Sequence, residues 1–280
     1  AARRVRGNEC MESNECFSNM KNLINNSDLL YPELSYSIVG AAMDVHSSVG
    51  PGWDEWDYHR SMISALRRHG HAVESHERKQ LVHRETAVDL FELDLLVDDL
   101  IVLELKHLKE GFHPSHYTQL INYLKCWDAR LGLLINFGQD RLRYERVPFT
   151  GSRGDISKTG AWNLISEREG NAVERSVENI LSSHGYGYGA DVFKKMLIAE
   201  LTFLGVEVKF ARLSPVFDGE RFEKREVDAV SVGYNFMIHV AATSSATDLS
   251  RLKTYMRQAG VSEGVLVNLT KKEIQLRGVR

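Results

Sequence analysis

Acidic and basic side chains cluster on two apolar runs in the first half of the chain. Asp94 lies near the end of one run, Glu104 and Lys106 lie on the next, and Asp98-Asp99 separates the runs. Because side chains alternate across a strand, Glu104 and Lys106 share a face, and a turn between the runs brings Asp94 close to Glu104. Two carboxylates on adjacent strands predict a hard oxygen site for Mg²⁺ or Mn²⁺. A neighbouring lysine can position a water and offset phosphate charge, so the pattern suits phosphodiester hydrolysis.

Three further side chains extend this candidate site. Gln119 and Tyr123 are four residues apart on the next predicted helix, so they lie on one helix face. Glu55 begins the helix that follows Gly50-Pro51-Gly52, where it is either a further metal ligand or only a favourable charge at the helix N-terminus. A charged strand edge, a solvated glutamine and a core tyrosine would produce the same residues without any chemistry.

The elements that must position these residues follow from apolar spacing. Two amphipathic helices are predicted around residues 38–45 and 58–66, separated by the Gly-Pro-Gly break. Residues 87–97 and 100–105 predict a hairpin, Pro114 begins a helix that reaches about Trp127, and residues 131–137 and 142–147 predict two more strands. This order of helices and strands predicts an α/β fold with a mixed central sheet flanked by helices.

The second half of the chain resembles the first. The segment Ser47–Gly52 is echoed by Ser182–Gly187, and apolar, glycine and asparagine positions continue to match at offsets that drift from 135 to 132 residues. A true repeat keeps helix faces, turns and strand positions in register in this way. The matched positions predict an extension over residues 1–33, one domain over 34–149, a glycine-rich linker over 150–170 and a second copy over 171–280.

The predicted second copy has lost most of the charged site. Ala190 takes the place of Glu55, Arg251 takes the place of Gln119, and the partners of Glu104 and Lys106 are uncharged in either of two possible alignments. Only one carboxylate, Asp228, persists, and a single carboxylate makes a poor Mg²⁺ site. We therefore expect a degenerate copy, a pseudoenzyme domain that folds without holding a catalytic metal.

Composition limits the classes of protein that the chain can belong to. Its 280 residues are 43% hydrophobic and 26% charged, with three cysteines and a net charge of −3. These values predict a globular intracellular protein in a reducing compartment, without a membrane span; the arginine-rich first six residues make a mitochondrial location an alternative to a cytoplasmic one. The charge excludes coating of nucleic acid through bulk charge, but a local basic surface is predicted in the second copy, at Arg251, Lys253, Arg257, Lys271 and Lys272.

Several motifs in order resemble one family. The segment Gly52-x-x-Glu55-x-x-Tyr58 is similar to the motif of the GxxExxY proteins, a branch of the PD-(D/E)xK nuclease superfamily related to RecB-like nucleases. The similarity continues through Leu93–Val97, Leu103–Lys106, His116–Leu124 and Leu131–Phe137. The resemblance implies two restriction-endonuclease-like domains, with a predicted active site formed by Asp94, Glu104, Lys106, Gln119 and Tyr123 and with Glu55 as the acid on the helix.

One departure from the family pattern bears on function. The family often has an arginine two residues before the strand aspartate, where this chain has Glu92, an acid that weakens any phosphate contact. Two functions are therefore expected: a Mg²⁺- or Mn²⁺-dependent nuclease acting on DNA or RNA, or a catalytically silent nuclease fold. The silent fold would bind nucleic acid or protein partners as a subunit of a larger assembly, for which an organellar location is an alternative to a cytoplasmic one.

Overall fold

The computed structural model describes residues 29–151, 154–242, 245–270 and 273–280. They form two compact units. The first contains the described residues up to Glu77 together with Glu92–Phe149, and the second contains Arg78–Phe91 together with the described part of Thr150–Arg280. Among the described helices, none combines the length and the apolar character that crossing a membrane requires.

The first unit begins with the two predicted helices. Helix α1 spans Pro32–Val49 and helix α2 spans Glu55–Arg68. The chain turns between them at Gly50 and Gly52, whose φ values of 72° and 112° lie in the left-handed region that glycine adopts without strain. The Asp54 side chain accepts a hydrogen bond from the Asp57 backbone nitrogen at 3.0 Å, which caps α2 and fixes where this helix begins.

The sheet of the first unit has five strands in the order β1-β4-β5-β6-β7. These strands are β1 Val73–Ser75, β4 Leu95–Val97, β5 Ile101–Lys106, β6 Leu131–Asn136 and β7 Arg143–Pro148. Neighbours are antiparallel except β5 and β6, which are parallel and are joined by helix α3 at Pro114–Trp127. The sheet is therefore mixed, and its central strands are buried on both faces, as their continuous apolar sequences predict.

The hairpin predicted around Asp98-Asp99 is confirmed for β4 and β5. Asp98 and Asp99 have φ values of 51° and 57°, the left-handed pair that a tight two-residue hairpin turn requires. The preceding run differs from the prediction, because residues 87–97 are not one strand. Strand β3, Thr86–Glu92, pairs instead with β2, Arg78–His83, in a separate two-stranded sheet that belongs almost entirely to the second unit.

The second unit has its own helix pair and sheet. Helices α4 Glu167–His184 and α5 Ala190–Phe203 lie in the chain between the first strand, β8, and the other five strands of a six-stranded sheet in the order β8-β15-β14-β13-β12-β9. Its strands are β8 Asp155–Gly160, β9 Val208–Leu213, β12 Arg225–Val232, β13 Phe236–Ala241, β14 Glu263–Leu269 and β15 Glu273–Val279. Strands β13 and β14 are parallel and are joined by helix α6, Ala246–Ala259, while β10 Val216–Phe217 and β11 Glu220–Arg221 form a small hairpin.

The segment predicted as a linker, residues 150–170, contains regular structure. Strand β8 pairs in parallel with β15, a short 3₁₀ helix covers Trp162–Leu164, and α4 has begun by Glu167. Gly160, one of the glycines that indicated a linker, instead permits close packing against Gly278 on β15. A Cβ atom at Gly278 would lie 2.5 Å from the Trp162 backbone nitrogen, and one at Gly160 would lie 2.7 Å from the Gly278 carbonyl oxygen.

Candidate active site

Asp94, Glu104 and Lys106 come together at the edge of the β4–β5 hairpin. Asp94 directly precedes β4, and its Oδ2 atom accepts a hydrogen bond of 2.7 Å from the Leu105 backbone nitrogen. Glu104 and Lys106 are two residues apart on β5, and the Lys106 Nζ atom donates a hydrogen bond to Glu104 Oε1. The strand alternation and the turn therefore do what the sequence analysis predicted, and two carboxylates and one lysine share one side of the hairpin.

Glu104 is the most perturbed carboxyl of this group. Its side chain is fully buried, and its Oε2 atom has no hydrogen-bond partner among the described residues. Burial and, after it, the charge of Asp94 raise the pKa of Glu104 to about 8, although the charge and the hydrogen bond of Lys106 lower it. A buried carboxylate with an unpaired oxygen is costly, so this position is short of positive charge or of a proton.

Burial and neighbouring charges also shift the pKa values of Asp94 and Lys106. Burial raises the pKa of Asp94, while the Leu105 hydrogen bond and the charge of Lys106 oppose that rise. Burial alone would lower the pKa of Lys106, but Glu104, Glu55 and Asp94 outweigh burial and raise it. Lys106 is therefore protonated at neutral pH and acts as a hydrogen-bond donor and positive charge rather than as a base.

Gln119 and Tyr123 face this cluster from helix α3. Gln119 Nε2 donates a hydrogen bond of 2.8 Å to the Tyr123 hydroxyl oxygen, and Tyr123 is buried. Desolvation raises the pKa of Tyr123 to about 12, and the charges of Glu104 and Asp94 add to this rise. The phenol is thus protonated at neutral pH, with Gln119 orienting its oxygen.

Glu55 is the outermost of the predicted site residues. It is exposed at the first position of α2, and partial desolvation and Asp94 raise its pKa while Lys106 lowers it. Glu55 therefore lies within electrostatic reach of the hairpin cluster. In the described parts of the chain, however, no three His, Cys, Asp or Glu side chains are grouped closely enough to hold a metal ion. The ligand set of Glu55, Asp94 and Glu104 remains a prediction.

A group of aromatic rings lies beside Asp94, and the sequence motifs did not predict it. The Asp94 carbonyl oxygen lies 3.1 Å from His59 Nε2 and accepts a hydrogen bond of 3.3 Å from the His76 backbone nitrogen. His76 Nδ1 lies 3.1 Å from a Glu92 carboxylate oxygen, so Glu92 is paired within the site. The spacing of Glu55 and His59, four residues apart on one helix face, was the signal that could have identified His59.

The corresponding region of the second unit has different chemistry. Lys194 Nζ lies 2.5 Å from Asp228 Oδ1 and 3.0 Å from Asp191 Oδ1, so Asp228 is paired with a lysine that precedes it in the chain. His239 on β13 is buried, and its Nδ1 atom lies 2.6 Å from the Asp228 carbonyl oxygen. Ala190 begins α5, the helix of the second unit that follows a glycine turn as α2 does in the first.

The predicted nucleic-acid surface of the second unit is described only in part. Arg251 is engaged by Asp248, with Nη1 and Oδ1 3.3 Å apart, whereas Lys253 and Arg257 are exposed on the same helix, α6. Lys271 and Lys272 lie outside the described residues. The basic surface at these five positions therefore remains a prediction.

One comparison with known proteins, the match to a family model, supports the chemistry of the first unit. Residues 32–147 match the sequence model of the PD-(D/E)XK nuclease superfamily. No curated protein matches the chain. Among solved structures, the crystal structure of SSO0001 is similar at 15% sequence identity and a TM-score of 0.26, over 49% of this chain and 77% of that one. Residues 32–147, which carry every residue of the candidate site, are thus similar to nucleases of the PD-(D/E)XK superfamily.

Proposed function

We propose that the first unit is a nuclease that hydrolyses phosphodiester bonds of DNA or RNA with the help of Mg²⁺ or Mn²⁺. The observation that carries the proposal is Glu104, which is fully buried with one oxygen paired to Lys106 and the other unpaired among the described residues. A protein gains nothing in stability from such a carboxylate, so its presence favours a role in binding. The superfamily match over residues 32–147 supports the same reaction class.

The donors of the site fit a hard divalent cation. Glu104, Asp94 and Glu55 offer only oxygen ligands, and burial is the main cause that raises the pKa of each, so a bound cation would relieve the cost of keeping these carboxylates charged. These residues would hold the ion, Glu55 completing the ligand set from α2. The bound ion would supply Lewis-acid polarisation of the scissile phosphate.

The residues of the chain itself position and stabilise the reactants. Lys106 is protonated, so it donates a hydrogen bond that orients the attacking water and offsets the charge that develops on the phosphate. The protonated Tyr123 hydroxyl, oriented by Gln119, is a second donor for a phosphate oxygen. In this proposal Lys106 and Tyr123 touch substrate, while Gln119 acts through Tyr123.

We further propose that the two units are copies of one domain and that the second is degenerate. Both sheets contain five neighbouring strands that pair in the same order of directions. The first two pairs are antiparallel, the third is parallel and the fourth is antiparallel, and a helix joins the two parallel strands. Two helices precede the matched strands in each unit, α1 and α2 before β1 and α4 and α5 before β9. This common order supports two copies centred on residues 34–149 and 171–280, although β8 and the β2–β3 hairpin do not follow that division. The pairing of Asp228 with Lys194 supports a non-catalytic second copy.

A second candidate function is a silent nuclease fold that binds nucleic acid or a protein partner within a larger cytoplasmic or mitochondrial assembly. The observation that favours it is the lack, among the described residues, of a preassembled group of metal-binding side chains.

Cleavage by the full chain discriminates the two functions. Labelled single- and double-stranded DNA and RNA are incubated with Mg²⁺ or Mn²⁺, and the wild type is compared with Lys106→Ala and with Lys109→Ala. Lys109 is exposed on the loop after β5, where its backbone oxygen accepts a hydrogen bond from Gln139 Nε2, so its side chain controls for the loss of a nearby charge. Cleavage that Lys106→Ala abolishes and Lys109→Ala retains supports the nuclease. A folded wild type that cuts none of these substrates refutes it and favours the silent subunit.

A further inference from the structure

An exposed indole adjoins the carboxylate cluster of the first unit. Trp56, one residue after Glu55 on α2, leaves 55% of its surface exposed. Its ring is stacked on the His59 imidazole, with centroids 5.4 Å apart and planes 11° apart, and on the His76 imidazole at 5.7 Å and 24°. The two imidazoles are only 4.4 Å from each other, so both lie on the same side of the indole. The opposite face of Trp56 is therefore the one presented to solvent.

Backbone contacts tie this group of rings to the candidate active site. The Asp94 carbonyl oxygen lies 3.1 Å from His59 Nε2 and accepts a hydrogen bond from the His76 backbone nitrogen at 3.3 Å. Because a carbonyl only accepts, His59 Nε2 carries the proton, and the imidazole orientation is set by the same residue that offers its carboxylate to the site. His59 is also buried and lies 3.2 Å from the Ser75 hydroxyl oxygen, so the rings behind Trp56 are held firmly.

We propose that Trp56 is a base-stacking platform, and that the substrate of this site is single-stranded nucleic acid or a strand with an unpaired base next to the scissile phosphate. The inference rests on the proposed nuclease function. An indole supported on one face and open on the other is suited to hold a nucleobase, since every base has a π-face. Bases inside a duplex already stack on their neighbours, so the open face of Trp56 selects a base that is unpaired.

A positive charge lies on the same side of helix α2. Arg60 is four residues after Trp56, which puts both side chains on one helix face, and Arg60 is exposed. Aromatic rings that alternate with cations are typical of grooves that follow a single strand, where the rings hold bases and the cations hold phosphates. Trp56 and Arg60 together thus offer one contact for a base and one for the backbone.

Trp53 is the matched control within the same turn. It is exposed to the same fraction, 55%, but its Nε1 atom donates a hydrogen bond of 3.0 Å to the Val49 carbonyl oxygen, and no ring stacking on it is found among the described residues. Removal of either exposed indole leaves the buried core untouched, so both variants should fold.

Binding is measured separately from cleavage. The full-length Glu104→Gln protein in EDTA is titrated against a twelve-nucleotide oligo(dT), its RNA counterpart and a duplex of equal length, each with a terminal fluorescein. The fluorescein anisotropy gives the affinity of every variant, and the tryptophan fluorescence is recorded beside it. We expect the single strands to quench the tryptophan fluorescence. Trp56→Ala should weaken their binding by about tenfold, and Trp56→Phe should lose most of the quenching with a smaller loss of affinity. Trp53→Ala should keep the affinity of the parent.

The outcomes separate this inference from the proposed function. Equal affinity of Trp56→Ala and Trp53→Ala for the single strands would overturn the platform while leaving the nuclease intact. Equal or tighter binding of the duplex would overturn the selection of unpaired bases. Single-strand binding that depends on Trp56, in a wild type that cuts nothing, would keep the platform and refute the nuclease. A protein that binds none of the probes would overturn both.

Discussion

Glu104 in the first unit and Glu200 in the second are both fully buried, but their surroundings shift their pKa values in opposite directions. Glu104 has one lysine on one oxygen, and its pKa is raised to about 8. Glu200 receives hydrogen bonds from Arg84 Nε at 2.7 Å, from Arg84 Nη2 at 3.0 Å and from Asn179 at 2.6 Å, and lies 2.7 Å from His83 Nε2. Burial opposes its charge, but these contacts outweigh burial and lower its pKa.

The difference in hydrogen bonding distinguishes Glu200, a structural carboxylate, from Glu104, a carboxylate suited to binding a ligand. Glu200 joins α5 to the β2–β3 hairpin of its own unit, and each of its oxygens is satisfied by the protein. Among the described residues, one oxygen of Glu104 has no hydrogen-bond partner, and the same hairpin also presents Asp94 and Lys106. A buried carboxylate whose oxygens are all hydrogen-bonded by the protein has a structural role. A buried carboxylate that keeps an oxygen without a partner favours a site for an external cation or proton.

The largest expected effect is on the rate of cleavage, when one lysine of each unit is replaced by alanine in a separate variant. Lys106→Ala should lower the rate of cleavage by about 10²–10³-fold, because it removes a donor aimed at developing phosphate charge. Lys194→Ala should leave cleavage unchanged, since Lys194 is paired with Asp191 and Asp228 in the second unit. Single-turnover cleavage rates of the two full-length variants check this prediction, with circular dichroism as the control for folding. Equal losses in both variants would contradict a division into a catalytic and a degenerate unit.

The next effect concerns stability and uses the two buried glutamates. Glu200→Gln should lower the free energy of unfolding by about 3 kcal/mol, since it leaves Arg84 and His83 without their anionic partner. Glu104→Gln should leave stability unchanged or raise it in metal-free protein at pH 8, because it removes a carboxylate that is costly to ionise. Urea unfolding of both variants measures the difference, and Glu178→Gln, an exposed position on α4, is the control. Destabilisation of similar size in both variants would mean that Glu104 is structural as well.

The sequence predicted the candidate site better than the second unit. Asp94, Glu104 and Lys106 are brought together by strand alternation and a two-residue turn, which are local properties that the residues themselves indicate. The β2–β3 hairpin belongs to the second unit through His83 and Arg84, whose partner Glu200 is more than a hundred residues away, and no local pattern reveals such a pairing. Strand β8 was not predicted because Gly160 indicated a flexible linker, whereas the lack of a side chain at Gly160 permits close packing. The group of rings beside Asp94 includes His76. The backbone of His76 is left-handed, with a φ of 55°, and its ring stacks on Trp56 of α2.

The last expected effect is a pH dependence of stability that has opposite signs in the two units. The pKa of Glu104 is raised from 4.5 to about 8 in the folded state, and that of Asp94 is also raised. Between these two pKa values of Glu104 the folded protein holds a proton that the unfolded chain has lost. The stability of the first unit should therefore fall as the pH rises from about 5 to 8, by at most about 1.4 kcal/mol per pH unit for the one proton of Glu104.

The second unit should show the reverse. Desolvation lowers the pKa of His83 below its usual 6.5, and the pKa of Glu200 is lowered below 4.5. The unfolded chain then binds more protons than the folded one as the pH falls below 6.5, so acid removes stability from this unit. Hydrogen exchange of metal-free protein, corrected for the intrinsic pH dependence of exchange, should show protection in β5 falling with rising pH and protection in α5 rising. Glu104→Gln should remove most of the β5 trend and leave the α5 trend in place. Protection that changes with pH in the same direction in both units would contradict the contrast between Glu104 and Glu200. Opposite slopes of stability against pH require that folding takes up protons in one unit and releases them in the other.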